Sequence, residues 1–256
     1  MIPFFRKIRK KMADDNKPLK YMRYAIGEIV LVVIGILIAL SINNWNEKRK
    51  DSASELTALI DLKQEFSENT KVFNEHHQFK KDISQNWLKF ISNISNQKLT
   101  KTERLITPIR AGSRTYNPSR SVLNSILSTG KIDQLENDSI KYFLTSWNDL
   151  LLDYSEDEAR HLDFWDKEMM VLERSLLPYR FYNLDTLDPL KNDFHTENET
   201  KKMIFDAYNN LEYQNLLLRN LYFLQENVKN GEMLIERYNT IIQLLEGEIV
   251  MKNKKN

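Results

Sequence analysis

Between Ala25 and Ile42 the chain reads AIGEIVLVVIGILIALSI, with Glu28 as its single charge. A helix this apolar on every side has two stable homes, a protein core or a lipid bilayer, because a water-facing helix needs a polar face. At a rise of about 1.5 Å per residue, Ile26 to Ile42 covers roughly 25 Å, near the lower limit for a bilayer core. Tyr24 and Trp45 flank the run, about 32 Å apart on the same rise, where interfacial aromatics are found. The all-round apolarity and the aromatic ends predict a transmembrane helix over residues 25–45. Glu28 lies one turn inside the basic end, within reach of the headgroups and favoured there by the helix dipole. A cleaved signal peptide would begin in a similar way, and Ala39-Leu40-Ser41 loosely fits a cleavage site. The apolar run is longer than a usual signal core and its basic lead is long, so an uncleaved anchor is expected.

Orientation follows from the flanking cations. Arg6, Lys7, Arg9, Lys10, Lys11, Lys17, Lys20 and Arg23 precede the run against Asp14 and Asp15, and Lys48, Arg49 and Lys50 follow it. The positive-inside bias predicts a basic cytoplasmic tail, residues 1–24, and an exported domain, residues 46–256. Phe4 and Phe5 beside Arg6 and Lys7 form an amphipathic tip suited to anionic lipid; with Tyr24 and Trp45 they are the expected membrane-interface residues, and the bilayer is the first expected partner. Gly35 and Ala39 form a small-xxx-small pair through which two anchors can pack. The formal net charge is +1, from 37 basic and 36 acidic residues, so no global field points to nucleic acid. The chain has no cysteine, which removes disulfides, thiolate metal sites and cysteine nucleophiles together.

Glycine and proline outline the exported part. Pro108, Gly112, Pro118 and Gly130 mark one irregular segment near 101–130, and Pro178 and Pro189 mark another near 178–195. The stretches 46–100, 131–177 and 190–230 are uninterrupted, the last with room to continue to 251, and each carries a helical period. In the first, Leu59, Leu62, Phe66, Phe73, Ile83, Trp87, Phe90 and Ile94 alternate spacings of three and four, interrupted by Asn69, His76 and Lys80. In the middle, Ile140, Leu144, Trp147, Leu151, Tyr154, His161 and Trp165 share one face, with Asn137 and Asp138 as candidate caps. The last shows Leu217, Leu221, Leu224, Val228, Gly231, Ile235, Tyr238, Ile242, Leu245 and Ile249. No strand-like alternation competes. Apolar seams on long helices must be buried against one another, so the expected fold is all-α, one N-terminal transmembrane helix followed by an elongated antiparallel bundle. The same seams are candidates for self-association.

FFRKIRKKM followed by YAIGEIVLVVIGILIALSINNWNEKRK resembles the N-terminus of a bacterial family of single-pass proteins, domain of unknown function 6090. SVLNSILSTGKIDQLENDSIKYFLTSW, residues 121–147, is similar to that family's small-residue turn between helices. The resemblance implies an inner-membrane protein of flavobacteria-like organisms with a periplasmic helical region. It implies no activity and carries no catalytic residues.

Few constellations carry chemistry. Glu158 and His161 have the Glu-x-x-His spacing of carboxylate-bridged di-metal bundles, but those sites need a second such motif and two further glutamates. An isolated histidine at a helix seam is the plainer reading. Glu75-His76-His77 holds the one histidine pair; neighbouring helical residues diverge by about 100°, so one metal would not take both, and a surface pair is expected. Arg104, Arg110, Arg114 and Arg120, with Tyr116, are the candidate ligand or partner surface, since guanidinium forks with an aromatic can hold a carboxylate or phosphate. Loop arginines capping helix ends explain the same residues. There is no phosphate-binding glycine loop and no nucleophile elbow, and no cofactor is indicated. The leading expectation is a membrane-anchored, non-enzymatic interaction or scaffold module. A sensory or ligand-binding domain working through a separate partner is the alternative, and a metal-dependent enzyme centred on Glu158 and His161 the third.

Overall fold

The computed structural model describes residues 18–95, 114–177 and 197–255, all-α and without a strand among them. The chain divides into two compact units, Met1–Thr57 and Ala58–Asn256. Helix α1, Pro18–Ser95, contributes to both.

In the first unit, the side chains from Ile29 to Ile42 are exposed on every face. Among the described residues this is the one helix long and apolar enough to cross a membrane, by length and composition, and its apolar window contains no buried residue. Trp45, beyond the apolar run, is exposed under the Arg49 guanidinium at 5.5 Å.

The second unit is built on α1, α4 (Trp147–Phe164) and α7 (Leu211–Lys255), with shorter helices α2 (Ser121–Ser128), α3 (Asp138–Thr145), α5 (Met170–Leu176) and α6 (Glu197–Tyr208) packed around them. Aromatic contacts fix the directions. Phe66 meets Trp147, Phe73 meets Tyr154 and Trp87 meets Trp165, so α1 and α4 run parallel. Lys63 pairs with Glu246 and Lys81 with Glu232, so α7 runs antiparallel to α1.

Local signals explain most boundaries. The Asn137 side chain accepts the Ser139 and Ile140 amides at 3.0 and 3.2 Å and caps α3, whereas Asp138 is already inside the helix. Gly130 follows α2 at φ 71°, a left-handed conformation that glycine adopts without a Cβ clash. The chain between Trp165 and Met169 widens into a single π-helical turn before α5. Three expected stretches differ, the first being 131–177, which is not uninterrupted but divided into a 3-10 turn at Lys131–Gln134, α3, α4 and α5. Residues 121–128, inside the segment read as irregular, form α2 because the Glu65 carboxylate receives the Val122 and Leu123 amides at 2.8 and 3.1 Å. The stretch read as unbroken over 190–230 breaks at Asn209 and Asn210. Asn210 accepts the Tyr213 amide at 3.0 Å and starts α7. The segment 178–195 lies outside the described residues.

The apolar side chains form two clusters. One gathers Leu59, Leu62, Phe66 and Phe73 with Trp147, Tyr154, Leu234 and Tyr238; the Trp147 and Tyr238 rings meet at 4.4 Å. The other gathers Ile83, Trp87 and Phe90 with Phe164, Trp165, Leu217 and Leu224. On each long helix a polar interval separates them: His76, His77 and Lys80 on α1, Glu158 and His161 on α4, Asn227 and Gly231 on α7.

Candidate functional site

This polar interval is the most chemically loaded place in the described structure. Lys80 and Glu158 are fully buried, their Nζ and Oε1 atoms 3.2 Å apart. His76 Nε2 donates to the same Oε1 at 2.7 Å, and the Tyr116 amide donates to Oε2 at 2.8 Å. Burial alone would push the Glu158 pKa up. The His76 hydrogen bond, the Lys80 charge and the Tyr116 amide outweigh it and hold the carboxyl below its ordinary value. Burial lowers the Lys80 pKa, with Glu158 opposing the shift. Burial and the neighbouring Glu158 carboxylate push the Tyr154 phenol up.

One turn along α4, His161 is turned toward α7. Its Nε2–H donates to Asn220 Oδ1 at 2.8 Å and its Nδ1 accepts from Asn227 Nδ2 at 3.3 Å, which fixes the neutral ring. Burial holds this imidazole below its ordinary pKa. His77 is buried with Nδ1 lacking a hydrogen-bond partner; its ring packs so closely on Gly231 that a Cβ there would fall 2.5 Å from Nδ1. Burial first, then the Lys81 charge, lowers its pKa too. Beside the layer, Tyr116 donates its hydroxyl to the Asn69 carbonyl at 3.1 Å and accepts from Tyr238 at 2.7 Å, and burial pushes its pKa up to about 12. The Asn69 amide exchanges two hydrogen bonds with the Ser119 backbone, tying residues 116–119 to α1.

The sequence pattern of a family of unknown function, DUF6090, matches residues 28–205. The chain belongs to that family. No curated protein and no solved structure matches it. The DUF6090 match takes in His76, His77, Lys80, Glu158 and His161 and ends before α7, so the amides that hold His161 come from outside the matched residues.

Within this DUF6090 chain, the residues singled out from sequence are scattered. Glu158 and His161 are both buried, yet Glu158 faces α1 and His161 faces α7, each hydrogen-bonded to different groups. Among the described residues no three His, Asp or Glu side chains group to hold a metal. The di-metal spacing is thus occupied by a salt-bridged carboxylate and a neutral, doubly bonded imidazole. The expectation of a surface pair at His76 and His77 fails, because both turn inward, one to Glu158 and one to Gly231.

Tyr116 is a core residue, not an exposed stacking platform. Arg114 is exposed over the Phe79 ring at 4.3 Å, and Arg120 is exposed at the start of α2. Arg104 and Arg110 lie outside the described residues, as do Phe4, Phe5, Arg6, Lys7 and the side chain of Tyr24. The apolar seams are largely buried within the chain itself, with Val228, Ile235, Ile242 and Ile249 of the last one half-exposed.

Asn220 and Asn227 were missed from sequence because each stands in a heptad otherwise read through leucines. The polar interruptions at Asn69, His76 and Lys80 were the available signal. Lysine in the middle of an apolar seam requires a buried partner.

Proposed function

We propose that this DUF6090 member is a membrane-anchored helical module that acts by holding and presenting a protein partner. In this reading α1 crosses the inner membrane of a bacterium, residues 1–24 stay in the cytoplasm and the bundle lies in the periplasm. One observation carries it: the helix that exposes an unbroken apolar surface from Ile29 to Ile42 goes on to supply the Leu59–Phe90 seam of a packed bundle. Exposed apolar surface of that length is stable in lipid and costly in water. The charged groups inside the bundle bond to one another, Glu158 with His76, Lys80 and Tyr116, which fits a structural role. Arg114 and Arg120 are the described part of the surface we assign to a partner's carboxylate or phosphate. Self-association would run through Gly35 and Ala39 of the anchor and through the half-exposed Val228, Ile235, Ile242 and Ile249 of the last seam.

Cysteine labelling tests the topology cleanly in a cysteine-free chain. Ala13→Cys and Ser52→Cys are exposed in turn to a membrane-impermeant thiol reagent after outer-membrane permeabilisation. Labelling at Ser52→Cys alone, on a chain that resists alkaline extraction, is the expected result. Labelling at Ala13→Cys alone inverts the topology, and release of the chain by alkali removes the anchor. For partner holding, crosslinking in mild detergent yields a defined complex that Arg114→Ala with Arg120→Ala weakens; a monomer with nothing crosslinked overturns it.

A further inference from the structure

The two histidines that face α7 share a property that structural packing alone does not require. In each, Nδ1 has no hydrogen-bond acceptor in front of it. His161 Nδ1 points at the Asn227 amide nitrogen, a donor, at 3.3 Å, and the Asn227 carbonyl oxygen is itself without a hydrogen-bond partner among the described residues. His77 Nδ1 points at the Gly231 backbone with no partner. A proton added at His77 Nδ1, or at His161 Nδ1 with the Asn227 amide as it stands, would be buried without a hydrogen bond, between the two apolar clusters.

We infer that the polar layer is an acid-operated latch between α7 and the α1–α4 pair, released when His77 and His161 take up protons.

The surroundings of both rings support release over accommodation. Around His77 the charged and titratable groups are Lys81 and His76 on its own helix and Glu232 on α7, and Glu232 is already paired with Lys81 at 3.2 Å. Around His161 they are Glu158 on its own helix and Lys80 on α1, with the neutral amides of Asn220 and Asn227 on α7. The acids nearby on α4 are both engaged: His76, Lys80 and the Tyr116 amide occupy the Glu158 oxygens, and Asp157, one turn before His161, accepts from Asn230 of α7 at 2.6 Å and pairs with Arg160. Turning the Asn227 amide would give the His161 proton an acceptor, but the added charge would still face Lys80. The α1–α4 contact holds meanwhile, because the Glu158 cluster joins those two helices without α7.

The direction of the effect follows from linkage. Burial holds both imidazoles below the ordinary 6.5, so the packed state binds these protons less tightly than the opened one. The latch is closed above that pH and weakens as pH falls through and below it. Glu158, held below its ordinary 4.5, adds a separate loss only at still lower pH. The latch lies wholly within Ala58–Asn256 and is independent of anchoring, topology and partner.

Hydrogen exchange on the full-length chain in detergent micelles, corrected for intrinsic rates, reads the opening of α7 between Asn220 and Leu234. Protection there falls by up to about tenfold per histidine from about pH 7.5 to about pH 5.5, while protection in α1 holds. In His77→Gln with His161→Gln it stays flat. Unchanged protection in the wild type, or an equal fall in the double variant, overturns the latch. If the double variant does not fold, NMR titration of the wild-type imidazoles decides. Values below 6.5 for both rings uphold the inference, and a value at or above it for either ring overturns it.

Discussion

Replacing Glu158 by glutamine changes one atom and removes one charge, and the structure specifies what that leaves behind. The Lys80 ammonium is 0% exposed and the Glu158 side chain 1%, so water screens neither. Glutamine keeps an oxygen for the Tyr116 amide but offers Lys80 no compensating charge. Breaking a buried pair by removing one partner costs about 3–5 kcal/mol, chiefly the penalty of the stranded charge. For a unit the size of Ala58–Asn256 each kcal/mol moves the melting temperature by about 2–4 °C, so Glu158→Gln lowers it by roughly 10 °C.

Lys80→Met costs less, because Glu158 keeps the His76 and Tyr116 donors and methionine fills the space of the lysine stem. The double variant, with neither charge, melts above Glu158→Gln alone. Circular dichroism melts at about pH 7.5 in one detergent measure all four chains of the cycle. If Glu158→Gln melts within about 2 °C of the wild type, or the two losses simply add, the cluster is not a coupled buried pair and the reasoning fails.

Other outcomes follow from the same geometry. Gly231→Ala places a Cβ 2.5 Å from His77 Nδ1 and destabilises by about 1–3 kcal/mol; adding His77→Ala restores much of the loss in the same melts. Glu65→Ala removes the acceptor of the Val122 and Leu123 amides and the Ser121 hydroxyl, costing about 1–2 kcal/mol, with hydrogen exchange rising first in α2. Asn137→Ala deletes the cap of α3 and its 2.8 Å bond to Glu248, lowering stability by about 1 kcal/mol, which a denaturant titration reads as a shifted midpoint at constant slope.

Much of the bundle is legible in the sequence because burial on a long helix repeats every three or four residues. Every apolar member of the first seam from Leu59 to Phe90 is buried, as are Ile140, Leu144, Trp147, Leu151 and Tyr154. On α7 the reading drifts. Leu217, Leu221, Leu224, Tyr238 and Leu245 are buried, but Val228, Ile235, Ile242 and Ile249 are half-exposed. The inward row runs one residue earlier, through Asn227, Leu234, Ile241 and Glu248, and its polar members hid it from a count of apolar residues. The site was harder to see for a related reason. His76 and Lys80 are one turn apart on α1 but far from Glu158 in sequence, and only the parallel alignment of α1 and α4 brings the three together. The break at Asn209 and Asn210 follows from side-chain amides competing for backbone hydrogen bonds, a local signal that an unbroken apolar period outweighed.

The polar layer also answers a question that the seams leave open. Helices with apolar residues every three and four positions can slide past one another by seven residues and still bury carbon against carbon. On α7 such a slip would put Leu234 where Asn227 now meets His161. The ring would lose a partner for Nδ1, and Asn227 would carry its amide into another level of the bundle. On α1 it would draw Phe73 or Trp87 to the level of Lys80, stranding Glu158 among aromatic rings. A buried polar group left without its partner costs about 1–3 kcal/mol, more when charged, so each misregistered packing is penalised several times over. The native alignment therefore follows from where the hydrogen bonds close, and the apolar clusters on either side supply the burial once that alignment is set. The same closure that selects this register leaves His77 Nδ1 without a partner and sets the Asn227 amide nitrogen, a donor, against His161 Nδ1, so alignment and acid sensitivity have one structural origin.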